Sequence, residues 1–143
     1  ELFKRTKHSR LPVYKGDSPL HLSDAIKSLY CQTFRADEVV IVQDGPIGEG
    51  TKNVLADWKV RMPEINHVVL EENQGLSNAL NSGINAAKHE WLARIDADDI
   101  CNPERFEKQI ALIEDLPDLT ILGSWITEFD ENMEEEIDLG RRQ

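Results

Sequence analysis

The run Glu38-Val39-Val40-Ile41-Val42-Gln43 limits the fold more than any other part of the chain, because its four central residues are all β-branched and Asp44-Gly45-Pro46 follows at once. A strand sends alternate side chains to opposite faces, so an apolar run without alternation must be covered on both. Such strands belong to parallel sheets flanked by helices; an antiparallel sheet with one wet face does not suit it. The turn formers end the run and put Asp44 just past its C-terminal end.

The rest of the chain alternates accordingly. Pro12-Val13-Tyr14 is a short extended run, and Lys15-Gly16-Asp17-Ser18-Pro19 gathers turn formers after it. From Pro19, the residues Leu22, Ala25, Ile26, Leu29 and Tyr30 share one helical face. Ser18 is the expected N-cap and Pro19 the first helical residue, where a missing N–H costs little. Residues 51 to 60 read as a helix on Val54, Leu55 and Trp58, and His67-Val68-Val69-Leu70 as a strand. Leu76, Ala79, Leu80, Gly83, Ile84 and Ala87 return at helical spacing, and Trp91-Leu92-Ala93-Arg94-Ile95 is a strand running into Asp96-Ala97-Asp98-Asp99. Asn102-Pro103-Glu104 caps a helix with Phe106, Ile110 and Ile113 inward, and Leu119 to Thr127 is expected as a last strand. Trp58, Trp91 and Trp125 fall at periodic apolar positions and are expected in the core. Residues 1–10 are expected to be irregular, 11–130 to form one domain, and 131–143 to be an acidic tail.

Strands alternating with helices imply a doubly wound α/β domain, a mostly parallel sheet with helices on both faces. Ligands of such sheets bind beyond the carboxyl ends of the strands. Tyr14, Asp44, Asn73 and the Asp96 cluster should therefore meet at that edge.

Charge narrows the ligand class. With 16 Lys and Arg against 27 Asp and Glu, the chain carries −11 at pH 7, and a nucleic acid polymer would be repelled. No stretch approaches the roughly 20 apolar residues of a transmembrane segment. Cys31 and Cys101 have neither metal-ligand spacing nor the density of a disulfide scaffold, and Glu1 to Arg10 lacks a secretory signal pattern. These features point to a reducing, cytoplasmic setting. His8, His21, His67 and His89 share no motif and are expected at the surface or strand edges. Phosphate loop, nucleophile elbow and dinucleotide fingerprint are all missing, and Gly45, Gly48 and Gly50 have the wrong spacing and are not expected to open a patterned helix.

Asp96, Asp98 and Asp99 offer hard oxygen ligands at a strand end, and two carboxylates one residue apart can share a Mg²⁺ or Mn²⁺ that holds a diphosphate. An acidic turn with a solvated or helix-capping Asp explains the same triplet. Asp44 can accept from the N–H of a base ring, or serve ordinary turn chemistry. Asn73-Gln74-Gly75 opens the helix at Leu76 either as a modest anion site, with Gly75 permitting close approach, or as a plain N-cap.

Taken in order, Pro12-Val13-Tyr14, Leu29-Tyr30-Cys31-Gln32-Thr33, Val39 to Gly45, Asn73-Gln74-Gly75 with Ala79-Leu80-Asn81-Ser82-Gly83, and Asp96-Ala97-Asp98-Asp99 resemble the family 2 glycosyltransferases. The resemblance covers about residues 11 to 130 and implies the nucleotide-sugar-binding part of a GT-A fold. It implies transfer, with inversion, from a nucleotide-diphosphate sugar to a glycan or lipid-linked acceptor in cell-surface polysaccharide synthesis. A lipid-linked acceptor would bring the protein to the inner face of the membrane by peripheral association. Pro12 and Tyr14 would lie near the base, Asp44 on the base edge, and Asn73 and Gly75 in the same nucleotide-sugar site. Asp96 would stand near the ribose and beside the metal, Asp98 would hold Mg²⁺ or Mn²⁺ at the diphosphate, and Asp99 would be an outer or acceptor-side group, or a base.

Three departures from the family pattern carry expectations of their own. Lys7-His8-Ser9-Arg10 occupies the place of an apolar first strand, which should then be short, frayed or displaced. Leu80 stands where many members carry Arg, which removes one phosphate contact. Relatives continue beyond the segment matching Thr127 to Asp130 into acceptor residues and the general base, so this chain is expected to bind donor and transfer poorly. Two alternatives are a non-catalytic nucleotide-binding module and a Mg²⁺-dependent phosphatase of the haloacid dehalogenase type. The latter carries its nucleophile on the first strand and needs a later Lys and a second acid pair, which this sequence does not supply.

Overall fold

The computed structural model describes residues 7–129 and 136–137. Among these, four strands form a wholly parallel sheet in the order β3-β2-β1-β4: β1 (Lys7–Val13), β2 (Glu38–Asp44), β3 (Ile65–Leu70) and β4 (Trp91–Arg94). Helices α1 (Pro19–Tyr30), α2 (Glu49–Arg61) and α3 (Leu76–Ala86) connect them, and α4 (Arg105–Asp115) follows β4. Two short strands, β5 (Glu128–Phe129) and β6 (Glu136–Ile137), pair antiparallel apart from this sheet. The expected acidic tail otherwise lies outside the described residues, as do residues 1–6.

The run that constrains the fold behaves as its chemistry demands. Val39 and Ile41 enter a core shared with Leu22 and Ile26 of α1, Leu55 and Trp58 of α2, and Phe106 of α4. Val40 and Val42 pack on the other face with Ala79 of α3. All four are at most 2% exposed, and each such side chain contributes about 1.5–3 kcal/mol on burial. Helices thus cover both faces, the expected doubly wound architecture. Ser18 caps α1 in extended geometry (φ −71°, ψ 128°), and its carbonyl accepts the first helical N–H, from Leu22, at 3.0 Å.

Four expectations need correction. Residues 7–10 are not irregular: β1 begins at Lys7 and pairs with β2 on one side and β4 on the other. Two neighbouring backbones impose the strand where side-chain pattern gives no sign of it. Gly48 and Gly50 do open a helix, with Gly48 as the N-cap of α2. A Cβ on Gly50 would lie 3.0 Å from Cγ of Pro19, so this glycine lets α2 approach the start of α1 closely. Leu119 to Thr127 forms no strand and does not pair with β4, which is the sheet's edge among the described residues; apolar content without backbone pairing does not make a strand. Trp125 accordingly lies outside the core at 83% exposure, whereas Trp58 is buried and Trp91 half-buried.

The chain lays β2 and β3 to one side of β1 and returns to place β4 on the other. The order of strands reverses between β1 and β4, which in open α/β sheets opens a crevice at the carboxyl ends.

Candidate functional site

A cleft of about 430 Å³ occupies that crevice. The end of β1 and the loop after it contribute Pro12, Val13, Tyr14 and Asp17; β2 contributes Asp44; the loop before α3 and the helix contribute Asn73, Gly75, Leu76 and Ala79; the end of β4 contributes Arg94, Asp96, Ala97 and Asp98. Topology therefore brings together Pro12, Tyr14, Asp44, Asn73, Gly75, Asp96 and Asp98, all expected from sequence. Asp99 is not among the lining residues. Asp17 and Arg94 line the cleft without having been singled out from sequence. A signal existed for each: Asp17 lies among the turn formers after β1, and Arg94 is two residues before Asp96, on the same side of an extended chain.

A tight turn shapes the β1 wall. The Tyr14 N–H donates to Asp17 Oδ2 at 2.8 Å and the Asp17 N–H to the Tyr14 carbonyl at 3.1 Å. Tyr14 remains 54% exposed and Leu76 53% exposed, and both line the cleft. Burial pushes the Asp17 carboxyl up from its ordinary pKa; the Tyr14 N–H opposes the shift, and the negative charge of Asp98 adds to it.

Asp44 is buried and holds the opposite wall. Its Oδ1 accepts the Gln74 N–H at 2.7 Å and its Oδ2 the Gly75 N–H at 3.0 Å, while Asn73 Nδ2 donates to its carbonyl at 3.3 Å. The amides of Gln74 and Gly75 are therefore engaged by a carboxylate of the protein itself, and the anion-site reading of Asn73-Gln74-Gly75 does not hold for these two donors. Gly75 is the N-cap of α3 with φ +85° and no side-chain cap bond.

At the end of β4 the two acids differ in their partners. Asp96 is bound by the Arg94 guanidinium. Asp98 makes no hydrogen bond or ion pair with the described residues, and its exposed carboxylate interacts with those of Asp17 and Asp99. The Asp99 N–H closes a turn onto the Asp96 carbonyl at 3.1 Å, and burial, then Asp96 and Asp98, raise the pKa of its carboxyl.

A clasp from α1 fixes this acidic turn from behind. Gln32 Nε2 donates to the Ser28 and Asn102 carbonyls at 3.1 and 2.8 Å, and its Oε1 accepts the Phe106 N–H at 3.1 Å. Ser28 Oγ accepts the Cys101 N–H at 3.0 Å and donates to the Ala25 carbonyl. The motif Leu29 to Thr33 thus ties the end of α1 to residues on the far side of Asp96–Asp99.

Among the described residues, Asp17, Asp44, Asp96 and Asp98 line the cleft with a single cation, Arg94. A diphosphate entering such a cleft is repelled unless a cation accompanies it. The residues fit a divalent ion: Asp98 offers hard oxygens, and its unneutralised charge bears on Asp17. Among the described residues no group of three His, Cys, Asp or Glu side chains is placed to hold a metal alone. Mg²⁺ sites commonly use one or two carboxylates together with substrate phosphates, which needs no such group.

The sequence is similar to known proteins over most of its length. It is 42% identical over 127 residues to the amylovoran biosynthesis glycosyltransferase AmsE of Erwinia amylovora, covering 89% of this chain and 47% of that protein. It is 39% identical over 122 residues to the UDP-Gal:alpha-D-GlcNAc-diphosphoundecaprenol beta-1,3-galactosyltransferase of Escherichia coli, covering 85% of this chain and 44% of that protein. The chain therefore spans about half the length of these relatives. The structure of the mannosyltransferase PcManGT from Pyrobaculum calidifontis, in complex with GDP-Man and Mn²⁺, aligns with a TM-score of 0.67 at 22% identity, covering 77% of this chain and 32% of that one; the GT-A fold is shared. The family described as glycosyl transferase family 2 matches residues 11–140, nearly the whole chain and every wall of the cleft, and to that family the chain belongs.

Proposed function

We propose that the cleft binds a nucleotide-diphosphate sugar and that residues 11–130 are the donor-binding domain of an inverting glycosyltransferase acting on a glycan or lipid-linked acceptor in cell-surface polysaccharide synthesis. The observation that carries this reading is the Asp98 carboxylate, unpaired among the described residues and beside Asp17, in a cleft at the strand-order reversal. That arrangement suits a diphosphate accompanied by a divalent cation. The Escherichia coli relative is named for UDP-Gal and a diphosphoundecaprenol-linked acceptor, and the Pyrobaculum calidifontis protein was solved with GDP-Man and Mn²⁺, which supports the same ligand classes here. Membership of the transferase family leaves the phosphatase alternative without support.

Tyr14 and Leu76 give the mouth two apolar lips suited to a planar base. Each Asp44 oxygen keeps a second lone pair after accepting its backbone N–H, so Asp44 can take a base N–H while it holds the loop. Asp98, with Asp96 beside it, would hold Mg²⁺ or Mn²⁺. When bound, that ion supplies charge compensation for the departing nucleoside diphosphate. Asp99 lies outside the cleft lining, so no residue of the cleft is assigned as the base that takes the acceptor's proton. A lipid-linked acceptor would place the protein at the cytoplasmic face of a membrane, by peripheral association; no helix among the described residues is long and apolar enough to cross one.

A thermal-shift panel of UDP-, GDP- and dTDP-sugars, with and without Mn²⁺, tests the reading. One donor class should raise the melting temperature in Mn²⁺, since a ligand at a hundred times its Kd adds about 2.7 kcal/mol to stability. Asp98→Asn should remove the metal-dependent part. Failure of every donor to stabilise, or metal-independent stabilisation that survives both Asp98→Asn and Asp44→Ala, would count against it.

A further inference from the structure

Arg94 ends β4 and is the one cation lining the cleft among the described residues. Its guanidinium grips Asp96: Nε and Nη2 reach Oδ1 at 3.2 and 3.1 Å, and Nη2 reaches Oδ2 at 3.2 Å. Its backbone is held on both sides. The carbonyl accepts Arg105 Nη2 at 3.2 Å, and the residue stands in register with Arg10 of β1. Only the side chain has freedom, and it is 54% exposed. An exposed ion pair of this kind is worth about 0–1 kcal/mol, so little retains the guanidinium against a stronger anion. Its planar fork matches two phosphate oxygens at once, which a lysine ammonium cannot do.

We propose that Arg94 is a diphosphate-binding residue of the donor cleft, resting on Asp96 when no donor is present and exchanging Asp96 for the phosphates when donor enters. The proposal rests on the donor-binding reading and deepens it. The exchange changes two things together. It brings a fixed positive charge against the diphosphate, and it releases the Asp96 carboxylate so that both acids after β4 face the ligand. In the resting pair these charges cancel locally, which spares the empty cleft one more unpaired carboxylate beside Asp98.

Titration calorimetry on the chain tests this with UDP and GDP in Mn²⁺, with the matching nucleosides, and with inorganic pyrophosphate in metal-free buffer. Arg94→Met should weaken the bound nucleoside diphosphate at least about tenfold, the scale of one charged hydrogen bond, and leave the nucleoside unchanged. Arg94→Lys should fall between, because it keeps the charge and loses the fork. Asp96→Asn should strengthen pyrophosphate binding, and the gain should vanish in the Arg94→Met/Asp96→Asn double variant. A gain that persists in the double variant reports only the removal of an acid and overturns the exchange. Equal affinity of wild type and Arg94→Met for the nucleoside diphosphate, or an equal loss for nucleoside and diphosphate, overturns the phosphate role while leaving the donor reading intact. A wild-type chain that binds neither nucleotide overturns both.

Discussion

Gly45 and Gly75 share a φ of +85°, yet their surroundings separate them. A Cβ on Gly45 would meet the Asn73 backbone nitrogen at 2.7 Å, whereas around Gly75 there is nothing within 4 Å. Both substitutions to alanine incur backbone strain of about 1–3 kcal/mol, and Gly45→Ala also forces β2 and the Asn73 loop apart. Urea denaturation should therefore rank Gly45→Ala below Gly75→Ala in stability. The Gly45 variant should also lose nucleotide binding, because Asp44 no longer reaches the Gln74 and Gly75 amides; equal midpoints for the two would contradict this. His67 offers a pH test at the same scale. Burial lowers its pKa from the ordinary 6.5, with a further push from Lys59, and its buried Nε2 has no hydrogen-bond partner among the described residues. A depressed folded pKa means that the unfolded chain binds the proton more readily, so stability is lost as pH falls through about 6.5. His67→Gln should flatten the dependence of the urea midpoint between neutral and mildly acidic pH; an unchanged slope would show that the imidazole does not contribute.

Among the elements, β2 was legible because its composition admits one environment, and α1 because its cap, its proline and its apolar spacing agree. β1 was only half legible: Pro12-Val13-Tyr14 reads as extended, but Lys7 to Arg10 is strand through its pairing with β2 and β4, and pairing leaves no mark in a single sequence. Gly48 and Gly50 are opaque for a related reason, since Gly50 answers the approach of α2 to Pro19 of α1 and Gly48 caps α2, neither of which spacing alone reveals. The motif ending in Gln32 and Thr33 was visible as a pattern, while its work needed the third dimension: Gln32 lies 70 residues from Asn102 and 74 from Phe106. Gln32→Ala strips three hydrogen bonds from a buried junction, and leaving such groups unpaired costs about 1–3 kcal/mol each. The expected result is a loss of several kcal/mol, with faster hydrogen exchange at the Phe106 amide. Gln32→Glu, which keeps an acceptor for that amide and loses both donors, should protect Phe106 better than alanine does. Equal exchange in the two variants would show that the side chain does not hold α4 to α1.

Over the whole molecule, alternation of strand and helix was enough to foresee a two-faced parallel sheet, and the carboxyl-edge rule was enough to foresee which distant residues would meet. Side-chain direction was not: that Arg94 turns to Asp96 and that Asp44 faces two backbone amides depends on rotamers and loop paths. Residues 119–127 show the converse, since their apolar content reads as a strand and no pairing supports one. Ile121, Trp125 and Ile126 are 85%, 83% and 79% exposed, so they contribute almost no burial to the stability of the described fold. Had this segment been a covered sheet strand, each would have contributed about 1.5–3 kcal/mol. Replacing them by Thr, Ser and Thr should instead change stability by no more than about 0.5 kcal/mol per site, the usual range for surface positions. Exposed apolar side chains grouped in this way also favour self-association. The triple variant should therefore keep the wild-type urea midpoint and elute with less dependence on protein concentration. A fall of several kcal/mol would instead restore the segment to the core and add a fifth strand to the account of the sheet.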